Sequence, residues 1–157
     1  EFVAKSGMKI DWFKNTAIPK VKSILKNKSF NYYIVVNMGV NDLNSEYKGE
    51  EISKKYFELY SKLAKEYPNI EVYIMSVDPI FENKLNKWEL SNKRTTQKIK
   101  LFNNTIKDEL KQSNLDNLYY CNAYNTLQFE SEDGLHYTQK TNRKIINYIA
   151  NDCVSFK

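Results

Sequence analysis

The sequence predicts an α/β protein, built as one mostly parallel sheet with helices on both faces. Short runs of β-branched and aromatic residues alternate with segments whose apolar residues recur every three or four positions, at intervals that leave no room for hairpins. Strand, helix, strand, helix with short links is the pattern of parallel strands joined by crossover helices. Length agrees: 157 residues with 41% hydrophobic content can bury one sizeable core and not two, so a single domain is expected over residues 1–157.

The elements follow in order. FVAK, residues 2–5, is a short candidate strand that runs into Ser6 and Gly7. Asp11 is a candidate cap for a helix carrying Trp12, Phe13, Val21, Ile24 and Leu25, with Pro19 implying a late start or a kink. YYIVV, Tyr32 to Val36, is a continuous run of the kind found in a central strand buried on both faces, and it ends in the polar stretch GVND. Ile52, Tyr56, Leu59, Leu63 and Tyr67 then mark an amphipathic helix that Pro68 stops. IEVYIMSV, residues 70–77, reads as the next strand, and Pro79 forces an exit into the loop PIFENKLNKWELSN. Ile99, Phe102, Ile106 and Leu110 share one face of a second strong helix, and LYYCNA returns as the last strand. After EDGLHYT, a final helix carries Ile145, Ile146 and Ile149, with Thr138 placed to cap it.

Composition narrows the function classes. The formal net charge is +5, but the lysines are dispersed and interleaved with glutamates, so they read as solvated helix faces rather than a surface for nucleic acid. Only Arg94 and Arg143 are arginine. No apolar run approaches the ~20 residues that a membrane span needs, and the first residues lack the pattern of a signal peptide. The chain begins with Glu1 rather than methionine, so a removed leader is compatible with it and either a cytoplasmic or a secreted location fits. Cys121 and Cys153 show neither a CxxC pair nor a histidine at zinc spacing. Two packed thiols are expected, with a disulfide between them left open.

Both polar clusters, GVND and DGLH, fall at or after predicted strand ends, where ligands of parallel sheets gather. His136 is the only histidine, three residues after Asp133. That spacing lets the carboxylate accept from one imidazole nitrogen and leave the other as a base. In GVND, Gly39 permits close backbone approach or positive φ, and the Asn41 amide offers donors for a developing oxyanion. Asp42 is assigned to holding the turn. Each motif alone is also an ordinary turn; their conjunction and order carry the signal. A two-metal phosphoesterase using Asp42, Asp133 and His136 is disfavoured by the single histidine and few clustered carboxylates, and no cofactor is expected.

GxND after a buried strand, DxxH before the terminal helix and an early SG together resemble the SGNH or GDSL-type hydrolase family over nearly the whole chain. Residue by residue, Gly7 matches the second-block glycine, Asn41 the third-block asparagine, and Asp133 and His136 the last block. The resemblance implies a flavodoxin-like three-layer sandwich and ester hydrolysis by a Ser-His-Asp triad, with Gly7 and Asn41 in the oxyanion hole. It suggests small acyl esters, O-acetylated carbohydrate among them, as substrates. One block is missing, because no GDS motif occurs and none of the chain's serines, Ser6 included, follows a first strand in that setting. The first strand and its serine are therefore expected upstream of Glu1, the domain being N-terminally incomplete. An exposed sheet edge would then allow self-association. The alternative is a noncatalytic module binding a glycan or acyl group in the same cleft. Phe81 and Trp88, in the loop after the 70–77 strand, are candidates for a substrate pocket.

Overall fold

The computed structural model describes residues 1–44, 48–91 and 93–154. Ser45 and Ser155, two of the serines weighed above, and Asn92 at the end of the long loop lie outside the described residues, as does the side chain of Ser91. Residues 1–5 carry no regular secondary structure, and the chain turns at Ser6 and Gly7. α1 (Ile10–Trp12) widens into a π-helical stretch, Phe13–Ala17, and continues as α2 (Ile18–Ile24). The wide turn precedes Pro19, whose ring would clash with the carbonyl four residues back in a regular helix. β1 (Tyr32–Val36), α3 (Gly49–Glu66) and β2 (Ile70–Met75) follow. Then come a 3₁₀ turn (Glu82–Lys84), α4 (Lys87–Ser91), α5 (Thr96–Gln112) and β3 (Leu118–Cys121). α6 (Ala123–Thr126) and α7 (Gln139–Tyr148) complete the chain, α7 passing into a π-helical end, Ile149–Cys153.

The three strands are parallel in the order β1-β2-β3, with Tyr32 opposite Ile70 and Val72 opposite Leu118. The alternation of side chains along β2 separates two cores. Val72 and Ile74 join a cluster with Phe13, Ile52, Tyr56, Leu63, Ile99, Phe102 and Ile106, which places α1, α3 and α5 on one face. Tyr73 and Met75 join Cys121, Ile145 and Tyr148 on the other, under α7. The expected α/β arrangement, an open parallel sheet with helices around it, fits a flavodoxin-like fold.

Several local expectations are corrected. Residues 2–5 form no strand, since none of the strands among the described residues pairs with them. β1 is an edge strand rather than a central one, and Val35 on it is 37% exposed. Lys9, not Asp11, precedes the first helical turn, without a side-chain cap; Asp11 lies inside that turn, where its charge suits the helix dipole. The loop after β2 contains α4. Ile146 is 63% exposed and takes no part in the core, because Ile145 and Tyr148 already define the buried face of α7. Cys121 and Cys153 form a disulfide with Cα atoms 5.4 Å apart, tying β3 to the end of the last helix. Thr138 caps α7 as expected, accepting from the Thr141 N–H. No helix among the described residues is long and apolar enough to cross a membrane.

Candidate active site

The DGLH loop is held in shape by a short antiparallel bridge between Ser131 and Tyr137. Asp133 organises its interior. One carboxylate oxygen accepts from the Leu135 N–H (2.9 Å) and the His136 N–H (2.7 Å), and the other meets His136 Nδ1 at 2.6 Å. These bonds, the imidazole contact foremost and then the two amides, hold the Asp133 carboxyl well below the usual carboxylate range. A carboxylate at Nδ1 fixes the tautomer that carries its proton there, leaving Nε2, across the ring, to act as a base. Ser131, almost fully buried, donates to the His136 carbonyl (2.7 Å) and accepts from the Gly134 N–H (2.9 Å). Its hydroxyl is engaged on the backbone side of the loop. Gly134 has φ +90°, and a Cβ there would lie 2.6 Å from the Phe81 carbonyl oxygen, so the loop closes only with glycine.

The second group surrounds GVND, past the end of β1. Gly39 has φ +121°, and a Cβ would come within 2.8 Å of the Phe102 ring; both the positive φ and the close approach read from the sequence are present. Asp42 is fully buried and accepts from the Ile10 N–H (3.0 Å) and the Tyr56 hydroxyl (2.8 Å), pinning the loop to α1 and α3. Burial raises its pKa, and those two hydrogen bonds oppose the rise. The Asn41 side chain donates through Nδ2 to the Met8 carbonyl (3.2 Å), which sets it beside the turn containing Gly7 at φ +72°.

Thus the structure brings Asp133 to His136 and Asn41 to the Gly7 turn, both groups beyond the carboxyl ends of parallel strands. Among the described residues no hydrogen bond joins the two groups directly. Residues 79–94 connect them. At one end the Phe81 N–H donates to the Gly134 carbonyl (2.8 Å), Lys84 Nζ to the Ser131 carbonyl (2.7 Å), and the Tyr137 hydroxyl to the Pro79 carbonyl (2.7 Å). At the other, Arg94 donates Nε to the Val40 carbonyl (2.8 Å) and Nη1 to Glu89 (2.9 Å), with both side chains largely buried. The Phe81 ring lies under the Lys84 ammonium, 5.6 Å from it. Trp88, on α4 between the two anchors, is 69% exposed.

Three residues of the site were not singled out from the sequence. Arg94 had a signal, being one of two arginines in a lysine-rich chain. Ser131, two residues before Asp133, matches the local turn chemistry of a hydroxyl that bonds nearby backbone. Asp78, just past β2, had none: burial pushes its carboxyl up to about 7, opposed only by a 3.4 Å contact from the Ser76 hydroxyl. Among the described residues, no cluster of three or more His, Cys, Asp or Glu is placed to hold a metal ion.

Fold and site together define an α/β protein with an aspartate–histidine pair and an amide donor at the carboxyl ends of its strands. A family model described as GDSL-like Lipase/Acylhydrolase matches residues 3–149, and the chain belongs to that family. Its fold is similar to that of a carbohydrate acetylesterase from Sinorhizobium meliloti, at TM-score 0.61 and 17% identity over 82% of this chain and 64% of that one. It is also similar to an acetyl esterase solved as a serine-to-alanine mutant with acetate ion, at TM-score 0.64 and 16% identity over 93% of this chain and 70% of that one. A candidate acylhydrolase from Bacteroides fragilis NCTC 9343 aligns at TM-score 0.58 and 21% identity, over 75% of this chain and 59% of that one. Across four of the solved chains it matches, this chain spans 59% to 64% of their length. No curated protein sequence matches it.

Proposed function

We propose that this chain carries the acid–base and oxyanion half of a carboxylic ester hydrolase, with the nucleophilic serine on polypeptide upstream of Glu1. The observation that carries the reading is the 2.6 Å contact between His136 Nδ1 and Asp133, which leaves Nε2 as the base. In this mechanism His136 takes the serine proton as the hydroxyl attacks the acyl carbonyl, and then returns it to the leaving alcohol. Asp133, held ionised, stabilises the imidazolium. The tetrahedral oxyanion is met by the Gly7 N–H, by the Asn41 amide and by the serine's own N–H. An acyl-enzyme forms, and water activated by the same histidine releases the acid.

The substrate class that suits the site is a short acyl ester, acetyl groups on carbohydrate included. The similar fold of a carbohydrate acetylesterase supports this reading. Trp88 is the better candidate for substrate contact, since its ring is exposed on α4, whereas the Phe81 main chain is occupied in bracing the histidine loop. The test is a form of the protein that begins some tens of residues before Glu1. It should hydrolyse a short-chain nitrophenyl ester, and the 157-residue chain should not. Activity of the 157-residue chain that Ser6→Ala abolishes would overturn the placement of the nucleophile. A longer form that binds acylated glycan but turns over no ester would assign the cleft to a binding module instead.

A further inference from the structure

The Asp133–His136 pair sits in water, its side chains 52% and 78% exposed. An ion pair in that setting contributes little and does not by itself fix where the ring points. The buried members of the loop are Ser131, 3% exposed, and Gly134. The Ser131 hydroxyl has one proton to give and two acceptors near it, the His136 carbonyl at 2.7 Å and Asp133 Oδ1 at 3.3 Å. The carbonyl takes it, being at hydroxyl bonding distance, whereas Oδ1 is farther off and already accepts from the Leu135 and His136 amides. On its other side the hydroxyl accepts from the Gly134 N–H at 2.9 Å. One buried side chain thus spans the loop from residue 134 to residue 136, and its own carbonyl is held by Lys84 Nζ at 2.7 Å.

We propose that Ser131 is a positioning residue for the histidine: its hydroxyl, clamped between the Gly134 N–H and the His136 carbonyl, fixes the direction in which Nε2 faces. The His136 amide and Nδ1 both bind the Asp133 carboxylate, so ring, carboxylate and the peptide groups between them move as one body. The Phe81 amide fastens that body at the Gly134 carbonyl, and the Tyr137 hydroxyl fastens the loop exit to the Pro79 carbonyl. Between those two points, Ser131 alone among the described residues holds the carbonyl of His136 itself. Without the hydroxyl, the buried Gly134 N–H and the His136 carbonyl lose their partner. The loop then shifts to satisfy them, and the contact of Nδ1 with Asp133 opens with it. Ser131 touches no substrate, since it is buried and engaged on both sides. That Nε2 takes a proton from a serine rests on the ester-hydrolase reading above; the clamp does not.

His136 is the only histidine, so nitrogen-15 NMR reads its ring without ambiguity. In the 157-residue chain the neutral ring should carry its proton on Nδ1, and the Gly134 amide should exchange about a hundredfold or more slowly than an unprotected one. Ser131→Ala should cut that protection by about tenfold or more and turn the ring into a mixture of tautomers. Ile106→Val, which trims the separate core under α3 and α5, should lower Tm and change neither signal. In a form extended upstream, Ser131→Ala should lower kcat about tenfold to a hundredfold with KM unchanged. A Ser131→Ala chain that keeps both the Nδ1 proton and the Gly134 protection overturns the proposal. So does the same tautomer mixture in Ile106→Val, and so does an unprotected Gly134 amide in the unaltered chain, which requires no variant to fold. Ester hydrolysis by the extended form at a kcat that Ser131→Ala leaves unchanged overturns the positioning role and keeps the esterase reading. The tautomer change in an extended form that hydrolyses no ester upholds the positioning and removes that reading.

Discussion

Replacing Asp78 by asparagine should stabilise the protein at neutral pH and leave it unchanged near pH 4. Asp78 is 6% exposed, and burial raises its carboxyl from 3.8 to about 7, opposed by the Ser76 hydroxyl. Between those values the folded chain holds a proton that the unfolded chain has released, so folding stability falls as pH rises through the window. At 1.36 kcal/mol per pKa unit, a rise of about three units costs the native protein about 4 kcal/mol by pH 7. Asparagine cannot ionise and escapes that loss. It also keeps an oxygen for the Ser76 hydroxyl and brings an amide toward Tyr120, whose buried hydroxyl has no hydrogen-bond partner among the described residues. The raised carboxyl of Asp42 and the lowered one of Asp133 are common to both proteins and cancel in the difference. Urea unfolding of the two proteins from pH 4 to 8, at constant m-value, measures this directly, and at neutral pH the gap should appear as roughly 10 °C in Tm. A difference between the two that stays flat with pH would refute the reasoning, whatever its size.

Four further outcomes follow from named contacts. Asn41→Ala, in a form that hydrolyses ester, should lower kcat by about 10²–10³, roughly 3 kcal/mol of barrier, with little change in stability; a loss below tenfold removes Asn41 from the oxyanion hole. Cys153→Ser opens a link with a sequence separation of 32 and should cost about 3–4 kcal/mol in chemical denaturation. Arg94→Met leaves Glu89 buried without its cation and should cost about 3–5 kcal/mol, while Arg94→Lys should recover only part, because one ammonium cannot match the guanidinium fork on both Val40 and Glu89. Trp88→Ala should alter the preference across a panel of acyl chain lengths without altering stability, since the ring is largely solvent-exposed; an unchanged profile excludes the ring from the site.

What could be read from the sequence was what local pattern determines. α3 and α5 were legible because Ile52, Tyr56 and Leu63, like Ile99, Phe102 and Ile106, lie on one helical face and end up in one core. β1 was located to the residue by its unbroken YYIVV, but its place in the sheet was not. Strand order depends on partners far away in sequence or outside it, and residues 2–5 failed as a strand for the same reason. The disulfide was left open because spacing does not report distance, and only β3 packing under the last helix brings Cys121 to Cys153. In the site, Asp133 and His136 were legible as a pair since three residues of one turn suffice to join them. Arg94 and Asp78 were not, because their roles lie in burial, which neither charge nor periodicity reveals at a single polar position.

The relative placement of the proposed base and the proposed oxyanion donor is set by chain geometry, since no hydrogen bond among the described residues joins them. His136 and Asn41 lie on separate loops, and residues 79–94 are fastened to both, through Phe81, Lys84 and Tyr137 at one end and Arg94 at the other. The two anchorages differ in kind. The first is built from hydrogen bonds to backbone around Gly134, where any Cβ would strike Phe81. The second is one hydrogen bond to the Val40 carbonyl from Arg94, whose guanidinium also pairs with Glu89 of the same segment, both side chains largely buried. Trp88 is exposed between the anchors. In the proposed mechanism, a substrate resting on that ring would meet His136 and Asn41 on loops already anchored before it bound, which lowers the ordering cost of reaching the transition state.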